Sequence, residues 1–452
     1  LIVAHDMGHV YRTTVFEGYK QKRDQREKSE LETQNFDKFL KWFNNFSAAL
    51  GATQVGVEGV EADDVLAWLC GSLQGYKQLF TVDEDLLQLA CDDTTVFLKA
   101  EPFTEQENKG VPIHLTSIAK SMLGDKSDEY GGIKGFGPAK FTHLLETYGE
   151  DGILQLQDCV ARDDTTMLDD AIEQTGDKVL IMLRDNFREW RQMWKLAQLH
   201  PELCWKPRGR KLIEPKWHKR VPNGDKLYAL LKMVGADDLW PKFEPMMPRA
   251  LLVDAGNWEE LRSAIFEEIR AGDVTAFDYE TANKNPHPEF NEAYAGRGDY
   301  LDMLSSTLTG ASFQFGKYLE NVVYVTVDHA GANNAAPSVI ADILKEARLH
   351  TRLVAHNFYF EGIITRTNLN LTLDQVHDTQ IMQRYVNENA EYGLKAMSKA
   401  VLGYEQVSYM ETLNGKAHMA ELTTDEVFTY ATDDSLVTGC LYDLLQIQLM
   451  LD

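Results

Sequence analysis

The chain has 452 residues, of which 44% are hydrophobic and 25% charged, and a formal charge of −25 at pH 7. That length and apolar fraction support two or three domains with ordinary cores and exclude a disordered or staple-dependent chain. No run of about 18 apolar residues is present, and Leu1-Ile2-Val3-Ala4-His5-Asp6 lacks the basic and apolar regions of a signal peptide, so no membrane partner and a cytoplasmic location are expected.

From the N-terminus, the apolar runs Leu1 to Ala4, Leu79 to Val82 and Thr95 to Leu98 alternate with helical patterns at Phe36 to Leu50, Ala62 to Leu73 and Leu115 to Leu123. This rhythm predicts an α/β fold with a largely parallel sheet. Asp225 to Leu239 reads as a closing amphipathic helix. Phe243-Glu-Pro-Met-Met-Pro-Arg249 then breaks the pattern and Ala250 to Asp254 opens a new strand, which predicts domains at 1–246 and 247–452. In the second domain, strands group early (Thr275 to Tyr279, Ala311 to Phe315, Val322 to Val327) and helices dominate from Glu361 onward. A mixed sheet is expected there.

The five cysteines, Cys70, Cys91, Cys159, Cys204 and Cys440, form no C-x-x-C pair, so neither a zinc site nor a disulfide framework is indicated and a reducing compartment is expected. The acidic balance opposes phosphate binding, which depends on Lys and Arg. A site that holds several divalent cations nevertheless needs dense carboxylates, and bound metal reverses the local sign. Basic residues cluster at Lys20, Lys22, Arg23 and Arg26, and again as seven Lys/Arg against one Glu between Lys206 and Arg220. For the second cluster a solvated face or linker is at least as good an account.

Two carboxylate constellations carry the chemistry. In the first, Asp6 follows a strand, Asp83 and Asp85 follow another, and Glu61, Asp63 and Asp64 open a helix. Singly, such acids complement helix dipoles or sit in turns. Gathered on one edge of an open sheet, they would repel unless Mg²⁺ or Mn²⁺ neutralised them. The stretch from Gly124 to Lys140 adds Asp125 and Asp128, then a glycine-rich turn with Gly135 and Gly137 before a helix starting near Pro138 and ending before Gly149. Backbone N–H groups at such a helix start suit a phosphate.

Val60-Glu-Ala-Asp-Asp-Val65, Thr81-Val-Asp-Glu-Asp-Leu-Leu-Gln-Leu89 and Gly124 to Lys140, in this order, resemble the 5′-nuclease (flap endonuclease, PIN/FEN-like) domain of bacterial and phage DNA polymerase I. The resemblance reaches back to Asp6, Arg12 and Tyr19-Lys-Gln-Lys-Arg23. It implies one metal region of Asp6, Glu61, Asp63 and Asp64 and another of Asp83, Asp85, Asp125 and Asp128. Lys20 and Arg23 would steer the scissile phosphate. Arg12, Gly135, Gly137 and Lys140 would contact DNA at a flap or nick, with K⁺ on backbone carbonyls of the glycine-rich element. That family begins one strand earlier, with a metal-binding Asp at its end, so a piece of something longer, or a natural split protein, is expected.

In the second constellation, Asp278 and Glu280 alternate in Thr275-Ala-Phe-Asp-Tyr-Glu-Thr281 and therefore project to one face of a strand. Tyr430 and Asp434 share a helix face at i and i+4. Taken alone, each is more often an exposed acidic pair or a helical surface pair. With Leu353-Val-Ala-His-Asn-Phe-Tyr-Phe-Glu361 between them, they resemble the DEDD 3′-to-5′ proofreading exonucleases of family A DNA polymerases. The resemblance implies a ribonuclease H-like fold and two-metal phosphodiester hydrolysis. Asp278, Glu280, Asp434 and Glu361 would be ligands, Glu361 standing where the family has Asp. Tyr430 would orient water, Asn357 would order the DNA strand, and Phe358 or Tyr359 would stack on bases. Asp378-Thr379 and Tyr392 to Lys399 also resemble family segments. A polymerase domain or separate polymerase is the implied partner. The competing reading is a DNA-binding or scaffold subunit that has lost turnover.

Overall fold

The structure is a computed structural model that describes residues 1–21, 30–208, 211–284 and 302–451. They form two compact units, one of residues 3–37 and 55–217 and the other of residues 1–2, 38–54 and 218–452. This division differs from a cut at 246/247, because polar contacts draw the residues around 219 to the later chain. Lys219, only 5% exposed, donates to Gly51 O at 2.9 Å and to Asp443 Oδ2 at 2.5 Å.

In the unit of residues 3–37 and 55–217, the strand Lys77–Thr81 pairs in parallel with Thr94–Leu98, which takes Glu101–Pro102 antiparallel. The parallel pairing expected from the βα rhythm is present, but this sheet is small and mixed. Most of the core is helical: Leu115, Ile118, Met122, Phe141, Leu144 and Trp190 pack in one cluster. Trp190, Met193, Trp194 and Ala197 recur at helical spacing along Phe187–Ala197, so one stripe of that helix turns inward. The Trp190 indole is fully buried and still satisfied, donating to Ser121 Oγ at 2.9 Å. Pro138 starts its helix as predicted, and Gly149 interrupts it at φ +67° before it resumes to Arg162.

The other unit is built on a six-stranded sheet in the order Arg249–Val253, Asn321–Thr326, Thr307–Phe315, Val274–Ala282, Arg352–Ala355, His377–Asp378. Thr307–Phe315 runs antiparallel to both neighbours and the other neighbouring pairs are parallel, so the expected mixed sheet is present. Alternation sorts the central strand. Phe277 and Tyr279 enter the apolar layer with Trp258, Ile265, Ile340 and Ile343, whereas Ala276 joins a cluster with Tyr442 on the opposite face. The helix Thr424–Leu451 covers that opposite face, buried chiefly through its middle from Ala431 to Leu445. Gly224–Met233 is shorter than the closing helix expected at Asp225 to Leu239, because Gly235 turns out of it at φ +69°. No helix of the described residues is long and apolar enough to cross a membrane.

Candidate metal centres

Asp278 and Glu280, two residues apart on the central strand, point toward the helix that carries Asp434. Ligand oxygens of all three lie within 4.8 Å of one another. Glu280 and Asp434 are 5% and 7% exposed. Burial, then the charge of Asp434, pushes the Asp278 carboxyl well above its ordinary range; burial, then Asp278, does the same to Glu280. Asp434 is pushed up to about 6 by burial, against the pull of Lys395 and of Gln406, whose Nε2 donates to Asp434 Oδ1 at 2.5 Å.

Tyr430 lies one turn before Asp434, as the i, i+4 spacing requires, and Lys395 Nζ sits 4.1 Å from its ring centroid while donating to Val407 O at 2.7 Å. The phenol is therefore fixed from one side. Glu361 is 3% exposed on the helix Phe358–Leu369, and its Oε2 has no hydrogen-bond partner among the described residues. Burial, then the negative charge of Asp278, raises its carboxyl too.

Asn357 caps that helix in the left-handed region at φ +62°. Asp378 holds the turn by accepting from Asn357 N at 3.0 Å and Phe358 N at 2.9 Å, and it also caps the next helix through Gln380 N at 2.8 Å. Asp378-Thr379 resembled a family segment without an assigned role; the local signal for this capping role is an Asp immediately before a helical pattern. Of the two stacking candidates, Phe358 packs against the core and Tyr359 is 69% exposed.

These residues fit divalent metal. Three hard carboxylate donors converge with mutual repulsion and a fourth buried carboxylate oxygen lacks a donor, a deficit that a cation or a metal-bound water would remove.

The first constellation assembles differently from its expected grouping. Asp85, Asp125 and Asp128 bring ligand atoms within 4.8 Å. Lys120, which the sequence reading did not single out, ion-pairs with Asp85 and Asp125 together. Burial works against ionisation of Asp125, but bonds from Lys120 and Ser127 outweigh it and hold this carboxyl below its usual range. The short strand at Gly124-Asp125 needs glycine: at φ +82°, a Cβ on Gly124 would lie 2.3 Å from Gly132 N.

Glu61 accepts from Arg12 Nη1 and Lys20 Nζ, both at 2.5 Å. Lys20 also reaches Asp128 Oδ1 at 3.3 Å, and Tyr19 Oη donates to Asp128 Oδ2 at 2.9 Å. Tyr19 and Lys20 thus tie the two expected metal regions together. Asp63 belongs electrostatically with the second region, its carboxyl pushed up to about 7 by burial, then Asp83, then Glu61. Asp83 caps the turn through Asp85 N at 2.9 Å, and Asp6 is exposed and accepts from Gly8 N at 3.0 Å.

Two residues sit deeper than the resemblance implies. Arg12 is 5% exposed, with Nη1 and Nη2 on Glu61 and Asp64 and Nε on Leu196 O at 3.2 Å, so in this structure it acts as an internal strut. Asp64 is fully buried and accepts from Arg12 and from His200 N at 2.8 Å. Arg23 lies outside the described residues. Gly135 turns at φ +76° and Gly137 caps the following helix, while Lys140 Nζ donates to Gly135 O at 2.5 Å and so places its own cation at a carbonyl of the expected K⁺ element.

Residues 1–114 match the family model described as the 5′-3′ exonuclease N-terminal, resolvase-like domain, and residues 298–450 match that of a 3′-5′ exonuclease. DNA polymerase I of Treponema pallidum is 31% identical over 157 residues, covering 32% of this chain and 15% of that protein. A 5′-3′ exonuclease of Mycoplasma genitalium is 32% identical over 152 residues, covering 31% of this chain and 50% of that protein. The chain therefore spans half or less of the length of these relatives. Among solved structures, T5 5′-exonuclease with bound zinc aligns with a TM-score of 0.35 at 20% identity, over 54% of this chain and 80% of that one. Escherichia coli RNase D aligns with a TM-score of 0.33 at 13% identity, over 44% and 45%.

Proposed function

We propose that this chain, which joins a resolvase-like 5′-3′ exonuclease domain to a ribonuclease H-like 3′-5′ exonuclease domain, hydrolyses DNA from both ends in replication or repair. The observation that carries the reading is the buried convergence of Asp278, Glu280 and Asp434 beside Tyr430. Two Mg²⁺ or Mn²⁺ ions per site would activate a water and stabilise the leaving oxygen of the phosphodiester.

In the 3′-5′ site, Asp278, Glu280 and Asp434 would hold the metals, and Glu361 would add a fourth carboxylate. The Tyr430 phenol stays protonated, since burial and then Glu280 raise it, and it can donate to and orient the water. Asn357, fixed by Asp378, orders the terminal nucleotide, and exposed Tyr359 offers a stacking face to a single-stranded 3′ end.

In the 5′ site, Asp85, Asp125 and Asp128 with Asp63, Asp83, Glu61 and Asp6 are the ligand set, and Lys20 with Arg23 steers the phosphate of a flap or nicked duplex. Gly135, Gly137 and Lys140 contact the duplex, and the backbone carbonyls of this element would hold K⁺. The catalytic modules are residues 1–246 and 247–452, working in the cytoplasm of a bacterium or phage-infected cell with a polymerase domain or subunit.

The test is a primer-template with a 5′ flap, labelled separately at each end, incubated with Mg²⁺ and with an Asp278→Ala control. Loss of 3′ nucleotides that the control abolishes, together with flap cleavage that it retains, is the expected result. Intact DNA at both ends, with binding preserved, would leave a scaffold subunit instead.

A further inference from the structure

Neither metal centre uses the basic segment that ends at Arg220. His218, Lys219 and Arg220 line a groove of about 220 Å³ together with Lys226, Asn44 and Asn45, and none of its lining residues is acidic. Lys219 is the floor, neutralised by Asp443. His218, Arg220 and Lys226 are exposed, and among the described residues none of the three pairs with a carboxylate. In a chain of net charge −25, a concave surface that gathers the cations Arg220 and Lys226 without a carboxylate partner attracts an anion.

The position of the groove says which anion. The Arg220 guanidinium lies against Gly403, where a Cβ would come within 2.9 Å of Cζ, and among the described residues it donates only to Lys219 O at 3.0 Å, leaving most of its fork free. Gly403 ends the helical segment that starts at Leu394, and Lys395 in that segment rests on the Tyr430 ring of the 3′-5′ site. From Lys395 to Gly403 the segment rises about 12 Å at most, at 1.5 Å per residue where it is α-helical and less in the π-turn Ser398–Leu402, a distance that a strand of a few nucleotides bridges. A planar guanidinium fork, a lysine point charge and amide donors together suit a phosphodiester.

We propose that this groove is a binding subsite for the DNA backbone, engaging a phosphate a few nucleotides before the 3′ end that is being removed. The inference rests on the exonuclease reading, and it makes strand length a determinant of affinity: a decanucleotide reaches the groove and a dinucleotide does not.

The experiment measures KM and kcat for 3′ hydrolysis of a dinucleotide and of a decanucleotide by the full chain and by Arg220→Gln/Lys226→Gln. The KM advantage of the decanucleotide should shrink about tenfold in the double variant, with a salt dependence weaker by about 0.7 per lost contact. Lys226→Glu alone tests the same point without disturbing the Gly403 contact and should shrink the advantage as well. An unchanged length advantage in both variants would overturn the subsite and leave the nuclease reading standing. A wild-type chain that hydrolyses neither strand would sink both.

Discussion

The Arg12 guanidinium holds the Asp64 carboxylate at two points, Nη1 to Oδ2 at 2.6 Å and Nη2 to Oδ1 at 2.9 Å, with both side chains buried. Removing one partner strands the other charge without water, a loss that typically costs about 3–5 kcal/mol. Arg12→Ala should therefore lower the urea midpoint of unfolding of the chain and abolish flap cleavage. Removing both charges in Arg12→Met/Asp64→Leu should recover much of the stability without the activity, because Glu61 then loses one of the two cations that position it. A denaturation series across the three proteins checks this.

Like charges gathered around Asp278 cost stability until a cation arrives. Asp278→Asn should raise the melting temperature in EDTA while eliminating 3′ hydrolysis. Saturating Mg²⁺ at 100 times its dissociation constant should stabilise the wild-type module by about 2.7 kcal/mol. The Mg²⁺-induced rise in melting temperature should be much smaller in Asp278→Asn. Equal metal shifts in the two proteins would remove Asp278 from the ligand set.

His356 is 8% exposed, bonded through Nδ1 to Thr379 Oγ1 at 2.9 Å, and burial lowers its pKa to about 4. In the unfolded chain a histidine titrates near 6.5. The depressed cation means that the stability it contributes is complete above about 6.5 and is lost as the pH falls toward 4. Opposing carboxylates make the total profile uninformative, so the useful quantity is the difference between wild type and His356→Gln. That difference should change by on the order of 3 kcal/mol across this window, and a flat difference would show that His356 charges freely in the fold.

Glu361 stands where the resembled family has Asp, and its buried Oε2 lacks a hydrogen-bond partner among the described residues. Glu361→Gln keeps the shape and removes the charge, and should reduce 3′ hydrolysis about 10- to 100-fold. Glu361→Asp should restore part of it. Single-nucleotide release assays decide the matter: full activity in Glu361→Gln would make this side chain a packing residue.

Tyr430→Phe leaves the ring under Lys395 and deletes only the phenol oxygen. A drop in kcat of about 10²–10³, with little change in KM, is expected if the hydroxyl orients the attacking water. A change confined to KM would assign Tyr430 to strand binding.

The sequence by itself determined the elements that present the acids. Period-2 alternation put Asp278 and Glu280 on one strand face, i, i+4 spacing put Tyr430 beside Asp434, and Pro138 and Gly149 bounded a helix, all because local backbone geometry dictates these relations. Which carboxylates are free depends on side chains distant in sequence, and no local rule contains that. Asp63, Asp64 and Glu61 are neighbours on one helix start, yet Asp64 is consumed by Arg12 and the backbone of His200, while Asp63 feels the charge of Asp83. The resemblance put Arg12 at the DNA, while packing buries its guanidinium against Glu61 and Asp64. The basic segment near Arg220 was equally compatible with a linker, and became a groove only when residues 44–45 and 218–226 came together around it. Burial and long-range ion pairing are properties of the packed chain, so tertiary structure alone decided which charges face a partner and which face each other.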